Sequence, residues 1–457
     1  MQATDAFHFP RGFLWGTATS SHQVEGQQAN NDWWAAEEQG GMIYKNQRSG
    51  PACDWWNRAE EDFDRMADLG HRTHRLSIEW SSIQPKPDRW DLGALDRYVE
   101  MISGLRERDI EPMVTLHHFT NPIWVAERGG WANENIIPLF QKYVERVVRR
   151  LSDQVTLWCT INEPMVLVSQ GMMLGLWPPG KRDFSMARRA AINLARAHAV
   201  AYHTIHDIDD RAQVGLAKHM VVWNPDHIWL PTDHLVARLF NFISNHIFLR
   251  AITQGVVRLP GTRPIRIDRA RGTLEWLGVN YYQRYRVGLR MRQMLQSLIP
   301  GLSGEFLYRG TRPDHPQGPG TWGEFHPRGL YESLGSLMRY GVPLYVTENG
   351  IPSQDDGPRV RFLINHLHQL WNAIQDGFPV QGYYHWSLLD NFEWAEGYNP
   401  LYRFGLIEVD FETQQRRVRE SGQTYGQIAQ ANAITRDTVG RFAPDLDSHL
   451  FGGNHRS

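Results

Sequence analysis

Cysteine is scarce in this 457-residue sequence: Cys53 and Cys159 are the only two, and a lone pair of thiols makes no disulfide framework. A reducing, cytoplasmic setting is therefore expected, with Cys159 read as a core residue of an apolar strand. No run of about 18 apolar residues occurs, and the opening from Met1 to Pro10 lacks a basic stretch followed by an apolar one, so neither a membrane span nor a secretory leader is expected. An Asn-x-Ser/Thr acceptor is missing as well, which fits the same expectation. Charge of one sign is also lacking. Lys and Arg number 48 against 50 Asp and Glu, for a net charge of −2, with no basic block to hold nucleic acid or a membrane surface. No Gly-x-Gly-x-x-Gly follows the first apolar run, which removes the mark of a dinucleotide-binding fold.

Aromatic residues are abundant. The 41% of hydrophobic residues can bury a large core, but 18 Trp is more than a core needs, because each buried indole N–H wants a partner. Either a tightly packed interior or a sugar site accounts for them, since a pyranose stacks its apolar face on an aromatic ring.

Short apolar runs alternate with longer helical patterns, the sign of repeated βαβ units. Eight strands are predicted, near residues 12–18, 73–79, 111–117, 155–161, 213–219, 275–281, 342–347 and 379–386. Between them Ala59, Phe63, Met66 and Ala67, then Leu139, Tyr143, Val147 and Leu151, then Phe362, Leu363, His366, Leu367, Leu370 and Ile374 recur at helical spacing. Eight such units predict an α/β fold: a single (β/α)8 TIM barrel over residues 1–441 with long loop insertions at 220–274 and 300–328. An open doubly wound sheet is the alternative, but polar and aromatic clusters follow most strands here instead of one switch point. The polar stretch 442–457 is expected to be a frayed tail.

Reacting groups in such barrels sit where strands end. The fourth strand ends in Thr160-Ile-Asn-Glu-Pro164 and the seventh in Val346-Thr-Glu-Asn-Gly350. Glu163 and Glu348 can thus face each other across one barrel mouth. Paired carboxyls of this kind cleave glycosidic bonds: one protonates the leaving oxygen, and the other attacks the anomeric carbon when the two lie about 5 Å apart. Taken singly, each is an ordinary polar residue at a loop start; their pairing on two strands is what points to chemistry.

From about Phe9 to Tyr425 the chain resembles glycoside hydrolase family 1, the β-glucosidase family. The resemblance is carried by the opening Phe9-Pro-Arg-Gly to Glu25-Gly26, by Asn162-Glu-Pro164, by Thr347-Glu-Asn-Gly350, and above all by Trp386-Ser-Leu-Leu-Asp-Asn-Phe-Glu-Trp-Ala-Glu-Gly-Tyr398. It implies a retaining β-glycosidase acting on β-D-glucosides, and also on galactosides or fucosides, through a glycosyl-enzyme intermediate. Glu163 would be the acid/base and Glu348 the nucleophile. Gln23, His118, Asn162 and Glu393 would bond the glycone hydroxyls, Trp386 would form the stacking floor, and Trp394 would donate its indole N–H. Tyr282 would hold the nucleophile, Arg75 would keep it ionised, and Trp322 would lie near the aglycone. No cofactor is implied, and the partner is a small β-glycoside or oligosaccharide. The histidines at 71, 74, 117 and 118 have no third ligand at a metal spacing, so no metal site is expected.

One departure bears on specificity. Phe119 follows His118 where the family usually has Trp, which removes a donor to the sugar and implies some tolerance among glucose, galactose and fucose. A 6-phosphoglycosidase is argued against by Glu393 and by the lack of Lys from Pro379 to Leu406; a thioglucosidase is argued against by Glu163, where that branch carries Gln. Transglycosylation with the same residues, and a silent sugar-binding barrel, remain alternatives.

Overall fold

A computed structural model of the chain describes residues 5–258, 263–290, 307–312, 314–320 and 322–452. Eight parallel strands form its centre: β1 (Leu14–Ala18), β2 (Thr73–Ser77), β3 (Glu111–Thr115), β4 (Leu157–Asn162), β5 (Gln213–Pro225), β6 (Trp276–Leu289), β7 (Leu344–Asn349) and β8 (Val380–Trp386). Each pairs with the next around the ring, β5 with β6 and β6 with β7 included, and β8 returns to β1, so the sheet closes. Eight helices cover it: α1 (Trp55–Asp68), α2 (Leu92–Arg106), α3 (Ile136–Leu151), α4 (Phe184–His206), α5 (Ile247–Gln254), α6 (Arg328–Leu337), α7 (Asp356–Gln375) and α8 (Glu420–Ala431). This is the expected (β/α)8 barrel.

Two cores follow from strand alternation. Residues pointing outward from the strands, such as Val114, Trp158, Val214 and Val346, pack under the helices. Inward residues, among them Met113, Cys159, Ala217, Trp276 and Tyr384, fill the barrel itself. Of the predicted stripe on α1, Ala59, Phe63 and Met66 are buried while Ala67 faces out.

Closure requires strand backbones to approach closely at Gly16, which pairs with Thr73. A Cβ at Gly16 would lie 2.0 Å from the Thr73 carbonyl oxygen. The Tyr425 hydroxyl, reaching inward from α8, donates to the Gly16 carbonyl at 2.7 Å and accepts its N–H at 3.0 Å. Gly16→Ala is therefore expected to cost about 3 kcal/mol, read as a lowered midpoint in urea unfolding.

Both long insertions are present and carry regular structure, and one expectation, that of a frayed tail, is corrected. In the 220–274 stretch β5 runs on to Pro225, paired with β6 as far as Val287, and a helix at Pro231–Asn241 packs on both. Val221, Val222 and Trp223 continue the strand because β6 offers an equally long partner. In the 300–328 stretch, Leu307–Gly310 pairs antiparallel with the end of β6; residues 300–306, 313 and 321 lie outside the described residues. The tail is not frayed from residue 442. Asp447–Phe451 is helical, with Leu450 and Phe451 buried, and Phe451 stacks on Phe7 at 5.0 Å. Apolar burial orders it; residues 453–457 lie outside the described residues.

Candidate active site

The C-terminal ends of the strands open into a cavity of about 560 Å³ lined by Glu163, Glu348, His118, Glu393, Trp386 and Trp394, with Phe119, Trp177, His219, Tyr282 and Trp322 among its other wall residues. Glu163 leaves β4 in the left-handed region, φ 45°, and its N–H donates to the Ala217 carbonyl on β5 at 2.9 Å. Pro164 then begins the short helix Pro164–Val168. Its fixed φ suits a first helical turn, so the motif both ends the strand and turns the carboxyl into the cavity. Glu348 occupies the corresponding place on β7, in register with Asn280 of β6.

A buried hydrogen-bonded layer joins the two carboxyls. Arg75, 1% exposed, donates from Nη1 to Glu348 Oε1 at 2.5 Å and from Nη2 to Asn162 Oδ1 at 2.7 Å. Tyr282 donates its hydroxyl to Glu348 Oε2 at 2.6 Å. Asn280 donates to Glu163 Oε1 at 2.7 Å and to Asn162 Oδ1 at 3.1 Å. Asn162 bonds His118 Nε2 at 3.0 Å. Gln23, oriented by the Ser20 hydroxyl at 2.6 Å, donates to Glu393 Oε2 at 3.1 Å. Arg75, Asn162 and Gln23 thus sit directly behind the lining residues, while His118 and Glu393 reach the cavity.

The electrostatics separate the two carboxyls. Burial and the facing charge of Glu348 push the Glu163 carboxyl up to about 8, against the bond from Asn280 and the charges of Lys218 and Arg75. Burial lifts Glu348 too, but the Arg75 charge and the hydrogen bonds from Tyr282 and Arg75 act the other way, and these are partners that favour the ionised form. Of the facing pair, Glu163 is therefore the group that holds the proton near neutrality. Burial, then the Arg75 and His117 charges, keep His118 well below the usual histidine range, so it is a neutral hydrogen-bonding group. Burial and the nearby Glu348 hold the Glu393 carboxyl well above its ordinary value.

Aromatic rings shape the cavity. The His118 ring lies nearly parallel to those of Trp386 and Trp394, with ring centroids 6.0 Å from each. Trp394, itself in the left-handed region at φ 47°, leans on Trp33 at 4.8 Å and on Phe119 at 5.2 Å. Trp322 meets Tyr282 edge-on at 5.8 Å, which puts it at the cavity wall beside Glu348's hydroxyl partner. All eleven residues singled out in the sequence gather here.

Sequence reasoning missed three neighbours. Asn280 links Glu163 to Asn162 and accepts from Thr347 Oγ1 at 2.6 Å; a polar residue at the end of the sixth strand was the available signal. Trp177, on the loop before α4, packs its ring on Phe119 at 5.0 Å and on Trp33 at 5.4 Å; nothing in its local sequence marks it. Lys218 is fully buried next to Ala217, and its strand context reads as plain core. Among the described residues no cluster of three or more His, Cys, Asp or Glu is arranged to hold a metal ion.

A carboxyl that keeps its proton, facing a carboxylate tied to a guanidinium across an aromatic-floored cavity, can protonate a leaving oxygen while the second group attacks. Comparison with known proteins agrees with that chemistry. Residues 6–434 match the model of glycosyl hydrolase family 1. The chain is 33% identical to "Beta-glucosidase A" of Thermotoga maritima, over 93% of this chain and 98% of that protein. It is 31% identical to "Beta-galactosidase" of Pyrococcus woesei, over 94% and 98% respectively. A solved β-glycosidase from Pyrococcus horikoshii superposes with a TM-score of 0.87 at 38% identity, covering 96% of this chain and 98% of that one.

Proposed function

The chain belongs to glycosyl hydrolase family 1 and has retaining β-glycosidase activity, and from that premise we propose that it hydrolyses β-D-glucosides, and β-D-galactosides and β-D-fucosides as well, with Glu348 as nucleophile and Glu163 as acid/base. The observation that carries the assignment is the asymmetry of the pair: Glu348 is held by Arg75 and Tyr282, whereas Glu163 is buried against a like charge. In the first step Glu348 attacks the anomeric carbon as Glu163 gives its proton to the departing oxygen. The aglycone leaves and a glycosyl ester remains. Glu163, now a carboxylate, takes a proton from water, and that water displaces Glu348. Two inversions restore the β configuration.

The other residues divide the binding. Trp386 offers its face to the apolar side of the ring, His118 and Glu393 bond hydroxyls from the cavity wall, and Trp394 adds its N–H. Asn162 and Gln23 support these groups from behind, Asn162 through His118 and Gln23 through Glu393, and serve the same hydroxyls. Trp322 flanks the aglycone.

Proton NMR of the reaction with 4-nitrophenyl β-glucoside tests the reading. The β anomer of glucose should appear first and mutarotate later; the α anomer appearing first would overturn it. Activity should fall as pH rises through about 8, because Glu163 must carry a proton in the first step and loses it in that range. At Phe119, whose ring packs on Trp177 and Trp394, Phe119→Trp restores an N–H donor. It should shift the glucoside to galactoside ratio of kcat/KM by about tenfold, roughly 1.4 kcal/mol; an unchanged ratio would dissociate Phe119 from glycone tolerance.

A further inference from the structure

A buried ammonium lies behind the cavity wall and takes no part in the steps above. Lys218 is on β5, 1% exposed, and does not line the cavity, although Glu163 before it in space and His219 after it in sequence both do. Backbone pairing fixes the relation. Asn162 of β4 is in register with Ala217 of β5, and the Glu163 N–H bonds the Ala217 carbonyl at 2.9 Å, so Lys218 directly follows the residue that anchors the backbone of Glu163. Among the described residues its ammonium makes one hydrogen bond, to the His219 carbonyl at 2.6 Å, although it carries three donors. A charge so poorly solvated needs a counter-charge, and the carboxyl within its electrostatic reach is that of Glu163.

We propose that Lys218 is a positioning residue for the acid/base: its ammonium, buried and outside the cavity lining, balances the carboxylate form of Glu163 and so sets how readily that group gives up and retakes its proton. The proposal rests on the reading of Glu163 as acid/base and adds the cation that tunes it.

The surrounding charges leave room for this role. Facing Glu163 are Glu348 and Arg75, the first of which holds the proton on it while the second draws it off; Tyr282 and Glu393 also feel its charge. Facing Lys218 are Glu163, His219 and His246, and burial keeps both histidines low and uncharged. Arg75 is already engaged with Glu348 and Asn162. Lys218 is thus the second cation acting on Glu163, and the one not bonded to the nucleophile. Its effect belongs to both half-reactions. A stabilised carboxylate makes Glu163 a stronger acid when the aglycone departs and a weaker base when water attacks.

Burial also pushes Lys218 down to about 8, against the pull of Glu163, so the two groups titrate in the same range. Lys218→Met removes the cation at similar length and leaves Glu163 holding its proton more tightly. The basic limb of kcat/KM should move upward by about 0.5 to 1 pH unit. Lys218→Arg keeps a charge that does not titrate, and the limb should move downward. The two substitutions move the limb in opposite directions, which loss of packing alone would not do.

The pH profiles of both variants on 4-nitrophenyl β-glucoside, with Tm measured alongside, form the test, and the profile of the residual activity of Glu163→Gln on the same substrate is the control. Opposite shifts establish the role. A limb at its wild-type position in both folded variants overturns it, as does a changed Tm with an unmoved limb. If Lys218→Met does not fold, the downward shift in Lys218→Arg supports the role and an unmoved limb there overturns it. A basic limb that survives in Glu163→Gln would overturn the acid/base reading itself and this proposal with it. A limb lost there but unmoved in the Lys218 variants would remove Lys218 alone.

Discussion

Glu348→Gly is expected to reduce turnover of 4-nitrophenyl β-glucoside by about four orders of magnitude or more, at least about 5.4 kcal/mol of lost transition-state stabilisation. The side chain removed is the one that Arg75 and Tyr282 hold in place at 2.5 and 2.6 Å. Without it no glycosyl ester forms, and water left in the vacated space is a poor nucleophile beside a still-protonated Glu163. Azide is small and anionic enough to occupy that space next to Arg75. Added azide should therefore restore activity and yield the α-glycosyl azide, because attack comes from the face Glu348 used. A β-azide, or activity unaffected by the substitution, would show that Glu348 is not the nucleophile.

The second large effect depends on the leaving group. Glu163→Ala removes the proton donor, so a substrate with a poor leaving group, such as an alkyl glucoside or cellobiose, should lose about 10³ to 10⁴ in kcat/KM. A 2,4-dinitrophenyl glucoside departs without protonation, and its kcat/KM should stay close to wild type while kcat falls, since the glycosyl enzyme then waits for unassisted water. Azide should relieve that wait and give the β-azide, the opposite configuration to that from the Glu348 variant. The basic limb near pH 8 should vanish, because the group whose proton it reports is gone. Equal losses on both substrates would move the acid role away from Glu163.

Much of the site was legible because its residues lie at strand ends within short motifs. Asn162 ends β4 with Glu163 next to it, Glu348 is the last residue but one of β7, and Trp386 ends β8, so counting strands was enough to bring them to one mouth. Arg75 could be paired with Glu348 by the resemblance, and the structure joins them across 273 residues of sequence. Where local pattern was the only guide, the reading went astray. Residues 442–452 look polar, and the burial of Leu450 and Phe451 depends on Phe7 at the other end of the chain. The length of β5 beyond His219 depends on β6 offering a partner, which no periodicity within 220–225 reports.

Trp177 and Lys218 illustrate the same limit inside the site. Trp177 lies in a loop whose sequence says nothing of Phe119 or Trp33, yet it packs on both. A lone Lys in an apolar strand reads as an end or an edge, but closure of the barrel buries Lys218 completely.

The order of strands and helices, the two carboxyls and the class of chemistry followed from the sequence, because hydrophobic periodicity and short motifs are local properties that survive in any read-out of the chain. Which carboxyl keeps its proton was implied by the family resemblance alone, and its physical cause was not in the sequence. That depends on burial and on charges brought together from β2, β4, β5, β6 and β7, and the free energy of a charge is set by what surrounds it in space. The barrel supplies those surroundings only once it has closed.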